Sequence, residues 1–106
     1  MKTASINEFA IQAAASLGMN IVFIRTNCDG CGMRMARAFP SLEEVAVENL
    51  LNDGFTALHF DDEASAQAAY DQIVADVENE STLVTGEINL VTKDGLKERH
   101  TFNDWE

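Results

Sequence analysis

The stretch INLVTKDGLKERHTF, Ile88 to Phe102, constrains this chain more than any other. Two strand-like runs flank Lys93-Asp94-Gly95, and Asp-Gly between such runs is the signature of a tight antiparallel hairpin. The strands are expected over Leu83 to Thr92 and Leu96 to Phe102. The other segments have to be read as whatever packs with that pair.

Ile21 to Ile24 is a β-branched and aromatic run, too short for a helix, and reads as a buried strand. Phe55 to Phe60 reads as another. Near the N-terminus, Ser5-Ile-Asn-Glu8 is a capping box. Phe9, Ala10, Ala13, Ala14 and Leu17 follow at helical spacing, and Gly18 suits the stop. Met33 to Phe39 looks helical, and Pro40 breaks or kinks that helix. Ser41-Leu-Glu-Glu44 is a second capping box. It opens a segment in which Glu44, Glu48 and Asn52 share a stripe, with Leu42, Val45, Ala46 and Leu50 turned away. We read 42–51 as a helix ending at Gly54; a strand through Val45 and Val47 with an Asp53-Gly54 turn is the competing reading.

Asp61 and Asp62 supply an N-cap for a helix running to about Glu78. Its core face is Ala66, Tyr70, Ile73 and Val77. Asp76, Glu78 and Glu80 sit at its C-terminal end, where the helix dipole opposes them.

The order is therefore α-β-α-β-α-β-β in one domain, 1–106, and the fold class is α/β. Right-handed strand-helix-strand connections predict that the first two strands lie parallel in one sheet. The final hairpin adds an antiparallel pair, giving a small mixed sheet.

Cys28 and Cys31 bracket the turn between the first strand and the helix after it. Two cysteines do not make a disulfide scaffold. The N-terminal stretch has one lysine and an early glutamate, which makes a poor signal peptide. No apolar run approaches the roughly 20 residues of a membrane span. A cytoplasmic protein is the expectation, in a compartment that disfavours permanent disulfides.

With that order assembled, the chain resembles the thioredoxin and glutaredoxin family. NIVFIRTNCDGC is similar to that family's first core strand and Cys-x-x-Cys turn, FTALHFDDEA to its next strand and helix start, and INLVTKDGLKERHTF to its closing hairpin. The family places a cis-proline before the hairpin. Here Glu87 stands in the matching place, Pro40 is the only proline, and the family's last helix is absent. A second resemblance is to heavy-metal-associated domains with a ferredoxin-like α+β fold. It is carried by CDGCGMRMARAFPSLEEVAV and FTALHFDD, and it requires Val45 to Leu51 to be a strand.

The chemistry of the pair depends on thiolate, the form that attacks and binds metal. Cys28 just ahead of a helix start would be favoured as an anion, and Arg25, Arg34 and Arg37 would lower its pKa further. Cys28 is then the attacking thiol and Cys31 the resolving one. Asp29 opposes this with a neighbouring negative charge. Both cysteines are also readable as small, partly buried residues without chemistry. The same two thiolates would suit copper(I). A four-coordinate zinc site would have to recruit His59 and His100 at long, irregular spacings. Met19, Met33 and Met35 read as core filler before soft ligands. Asp61-Asp62-Glu63 is explained by capping before cation binding. No phosphate loop or nucleophile elbow appears, and no cofactor is expected.

Charge is the remaining constraint. The net charge is -11, and from Ala38 to Thr92 there are twelve acidic residues and no lysine or arginine. Such a field repels nucleic acid and anionic membrane and attracts basic partners. The expected docking face comprises Glu43, Glu44, Glu48, Asp61, Asp62, Glu63, Asp71, Asp76, Glu78 and Glu80. A well-solvated surface without a partner is the plainer reading. Three functions remain open: a thioredoxin-like thiol-disulfide protein, a non-enzymatic acidic binding or inhibitor protein, and a soft-metal domain. The second would act as nucleic-acid mimics do, including small viral proteins aimed at host nucleic-acid-binding machinery.

Overall fold

The computed structural model describes residues 12–27, 32–79 and 84–102. The Ser5 capping box, Cys28, Cys31, Glu80 and Trp105 lie outside them. The described elements are α1 (12–16), β1 (Asn20–Asn27), α2 (Gly32–Ala38), α3 (Glu44–Asp53), β2 (Phe55–Phe60), α4 (Glu63–Asn79), β3 (Thr85–Thr92) and β4 (Gly95–Phe102). The fold is of the α/β class, and among the described residues the helices pack on one four-stranded sheet.

The helix ends follow local chemistry. At the end of α1, Met19 N–H donates to Ala14 C=O and Gly18 N–H to Ala15 C=O. This is a Schellman closure around Gly18 at φ 70°. Ala14 and Met19 then pack together. Leu17, expected on the apolar stripe, is instead 74% exposed, because the closure turns the chain before it can reach the sheet. Helix α3 ends on Gly54 at φ 80°, whose N–H donates to Leu50 C=O. In α4, Asp62 Oδ1 accepts the Ser65 N–H at 2.7 Å, and that bond holds the carboxyl below its usual pKa.

The segment 42–51 is helical from Glu44, with Ala46 and Leu50 buried. Two details differ from expectation. Val45 is 61% exposed. Ser41 does not cap: the cap position is Glu43, without a side-chain cap bond, and Ser41 Oγ donates to Asp76 Oδ2 at 2.7 Å. A carboxylate across the fold outcompetes the local amide, since bonds to charged acceptors are the stronger ones.

The sheet order is β2-β1-β3-β4, and every neighbouring pair is antiparallel. The expectation that β1 and β2 are parallel is therefore corrected. Pro40 divides their connection into two helices, α2 and α3, so the rule for a single crossover does not apply. The chain re-enters beside the end it left: Arg25 pairs with Phe55, and Thr26 N–H donates to Gly54 C=O.

One sheet face packs under α2, α3 and α4. Val22, Ile24, Ile88 and Leu90 are wholly buried there with Met35, Phe39, Ala66 and Ile73. Burying such a side chain contributes about 1.5–3 kcal/mol. On the other face, Ala14, Ile21 and Val91 form a smaller cluster with Met19 and Phe23.

Candidate functional site

Helices α3 and α4 both lie over β2 but leave a cleft of about 510 Å³ between them. Its volume falls in the range of ordinary binding pockets. Leu58 and Phe60 of β2 form an apolar floor, with Val45 and Ala46 of α3 on one side and Ala69 and Ile73 of α4 on the other. The polar lining includes Ser41, Glu43, Asn49, Thr56 and Gln72. His59 also borders it, exposed on β2.

The walls are tied by hydrogen bonds. Asp76 accepts Ser41 Oγ on one oxygen and Gln72 Nε2 on the other, at 2.7 and 2.9 Å. It thereby joins the segment after Pro40 to α4, and its place near the helix end is stabilised despite the dipole. On the α3 side, Asn49 Nδ2 lies 3.4 Å from Thr56 Oγ1.

The acidic residues divide between two flanks of α4. Asp76 belongs to the cleft side, along with Glu43 at its edge. Toward β4, Glu63 bonds Lys97 Nζ at 2.9 Å, and Glu78 bonds His100 Nε2 at 2.9 Å. Lys97 holds the Glu63 carboxyl below its usual pKa, and Glu63 raises that of the ammonium. Asp71 accepts Gln67 Nε2, which also donates to Glu98. Glu44, Glu48 and Asp61 are exposed. Burial pushes the Tyr70 phenol up to about 12, aided by the charges of Glu98 and Asp71.

A second polar cluster occupies the opposite sheet face. Arg25 and Glu87 are directly paired across β1 and β3, so the structure places on one face two residues singled out from sequence. Asn89, which sequence reasoning missed, is fully buried beside them. Its Nδ2 donates to Phe23 C=O at 3.2 Å and to Glu87 Oε2 at 3.3 Å, and its Oδ1 accepts Arg99 Nε at 2.6 Å. Arg99 also lies 3.7 Å from Glu87 Oε1. A buried asparagine inside a strand that otherwise reads as apolar was the available signal.

The remaining candidates are dispersed. Arg37 is exposed in the last turn of α2, and Arg34 lies on the same helix. His59 and His100 sit on opposite edge strands and face opposite sides of the sheet, so they cannot share a zinc ion. Met35 is buried core, as expected of filler. Phe102 packs edge-on against Phe39 at 6.1 Å. Among the described residues no group of three or more His, Cys, Asp or Glu is placed to hold a metal. No helix among them is long and apolar enough to cross a membrane. Compared with protein-family models, with curated proteins and with solved structures, the chain matches none.

Proposed function

We propose that the chain is a non-enzymatic acidic binding protein that docks on a basic surface of a protein partner. One observation carries this reading. The cleft lies wholly within the segment 38–92, which has twelve acidic residues and no lysine or arginine. A cationic group approaching it meets attraction from Glu43, Asp76 and the exposed carboxylates of α3, with no cation of that segment to repel it. The apolar floor supplies what charge alone lacks, a place to bury carbon.

The test is binding to a lysine- and arginine-rich protein across a range of salt. Charges on an exposed surface are screened over about 10 Å at 0.1 M salt. Affinity should fall steeply as salt rises, and replacing both cysteines with serine should leave it unchanged. Affinity that is flat with salt removes the electrostatic basis.

The spacing Cys28-Asp-Gly-Cys31 supports a second reading. Strand β1 ends at Asn27 and α2 begins at Gly32, and the two cysteines fall between them in the sequence, outside the described residues. A thiol-disulfide function requires Cys28 to alkylate readily near neutral pH, and Cys28→Ser to abolish dithiol reductase turnover. An unreactive Cys28 ends that reading. Copper(I) uptake lost on replacing either cysteine would assign the pair to a soft metal instead.

A further inference from the structure

We infer that the partner is engaged as an extended segment bearing lysine or arginine, which adds to β2 as a fifth strand and seats an apolar side chain in the cleft. This deepens the acidic-docking reading and rests on it.

Strand β2 is an edge of the sheet: β1 is its only strand neighbour among the described residues. In an antiparallel pair only alternate residues direct their N–H and C=O groups at the neighbour. The remaining groups of Phe55–Phe60 point away from the sheet. Six residues span roughly 20 Å, enough to hold a short added strand.

Edges of this kind are normally blunted by lysine, proline or a bulge. FTALHF has neither lysine nor proline, and its register with β1 is continuous from Asn20↔Phe60 to Arg25↔Phe55. The cleft lies against this strand. Val45 at 61% exposure offers apolar surface there. Strand addition joins main-chain bonds to pockets for alternate side chains, which suits an edge with an apolar cleft beside it.

Charge selects the occupant. A second copy of this chain would bring another net charge of -11 against the same carboxylates. An added strand alternates its side chains between the two sheet faces, so one set can face the cleft while the other carries cations in solvent on the face opposite the helices, within the field of a net charge of -11.

The test uses two capped synthetic peptides of about eight residues, one alternating lysine with leucine and the other all lysine. Each is titrated calorimetrically into the full chain and into Val45→Asp, with amide hydrogen exchange followed in parallel. Val45→Asp adds negative charge, so attraction by charge alone is kept or strengthened. The alternating peptide should bind about tenfold or more tighter than oligolysine. Val45→Asp should erase that advantage while still binding oligolysine. Alternate amides of β2 should gain protection while those of β4 do not. Equal affinities, an unaffected Val45→Asp, or protection confined to other elements overturns the strand-addition inference while leaving acidic docking in place. Failure of both peptides to bind at low salt overturns both readings. A dimer whose β2 amides are protected without peptide assigns the edge to a second copy and also overturns the inference.

Discussion

The two edges of this sheet are built by different rules. Strand β4 carries Lys97, Glu98, Arg99 and His100 in a row. Its register passes from Leu90↔Glu98 to Val91↔Leu96, leaving Lys97 as the extra residue of a bulge. Lys97, Glu98 and His100 then bond to Glu63, Gln67 and Glu78 of α4. Strand β2 has no charged residue unless His59 is protonated, and no bulge in its pairing with β1. One edge carries charged side chains that bond back to the molecule's own helix, and the other is bordered by a cleft. Since both belong to one sheet, the contrast comes from side chains and not from backbone architecture. It teaches that protection of an edge is a local property of the sequence.

The strongest way to break the contrast is to damage the protected side. Gly86 pairs with Thr26 on β1 and Phe102 on β4. A methyl added there would fall on the backbone carbonyl oxygen of Arg25 and come within 3.0 Å of the Phe102 ring. The carbonyl cannot swing aside as a flexible side chain would. Gly86→Ala should therefore destabilise the fold by about 3 kcal/mol or more, measured by urea denaturation. Hydrogen exchange should rise first in β3 and β4. A loss under about 1 kcal/mol would show that β1 and β3 separate easily.

Next in size is Asn89→Ala. Asn89 uses both amide hydrogens and its oxygen in bonds to Phe23, Glu87 and Arg99. Removing it takes one donor each from the Phe23 carbonyl and the buried Glu87, and the acceptor from Arg99 Nε. The expected cost is about 2–3 kcal/mol, since three bonds of one buried network are lost together, two of them involving charged groups. The β4 side should loosen while β2 exchange stays as it was. Uniform loosening would mean that the cluster stabilises the whole sheet equally and has no particular tie to β4.

Much of this architecture was legible in the sequence. The stripe Ala66, Tyr70, Ile73, Val77 is the buried face of α4, β2 has the bounds its residues suggested, and Thr92 pairs with Gly95 across the expected turn. These features follow from spacing and turn chemistry within a few residues. The direction of β2 does not. Pro40 announces a break, but whether the chain makes one helical pass or two depends on how α2 and α3 pack. The Asn89–Arg99 bond needs the hairpin register, and the cleft needs Val45, Leu58 and Ala69, distant in sequence, to meet. Ser41 shows the same limit: its capping-box spacing was correct, but a carboxylate 35 residues away took the hydroxyl.

The smallest expected change in stability comes from giving β2 the protection that β4 already has. Ala57 is exposed, on the face opposite the helices, and pairs with Phe23. Ala57→Lys fills no cavity and breaks no side-chain bond, so stability should change by no more than about 0.5 kcal/mol. The added ammonium nevertheless sits on the open edge, where it repels a cationic strand and stays solvated only while the edge is uncovered. Affinity for the alternating lysine-leucine peptide should therefore fall while the urea midpoint hardly moves. Lys97→Ala provides the matched control on β4, because it removes a charge from the other edge and should leave peptide affinity within about twofold. If the two substitutions changed peptide binding equally and in the same direction, the edges would be equivalent in function, and their different side chains would reflect stability and solubility alone.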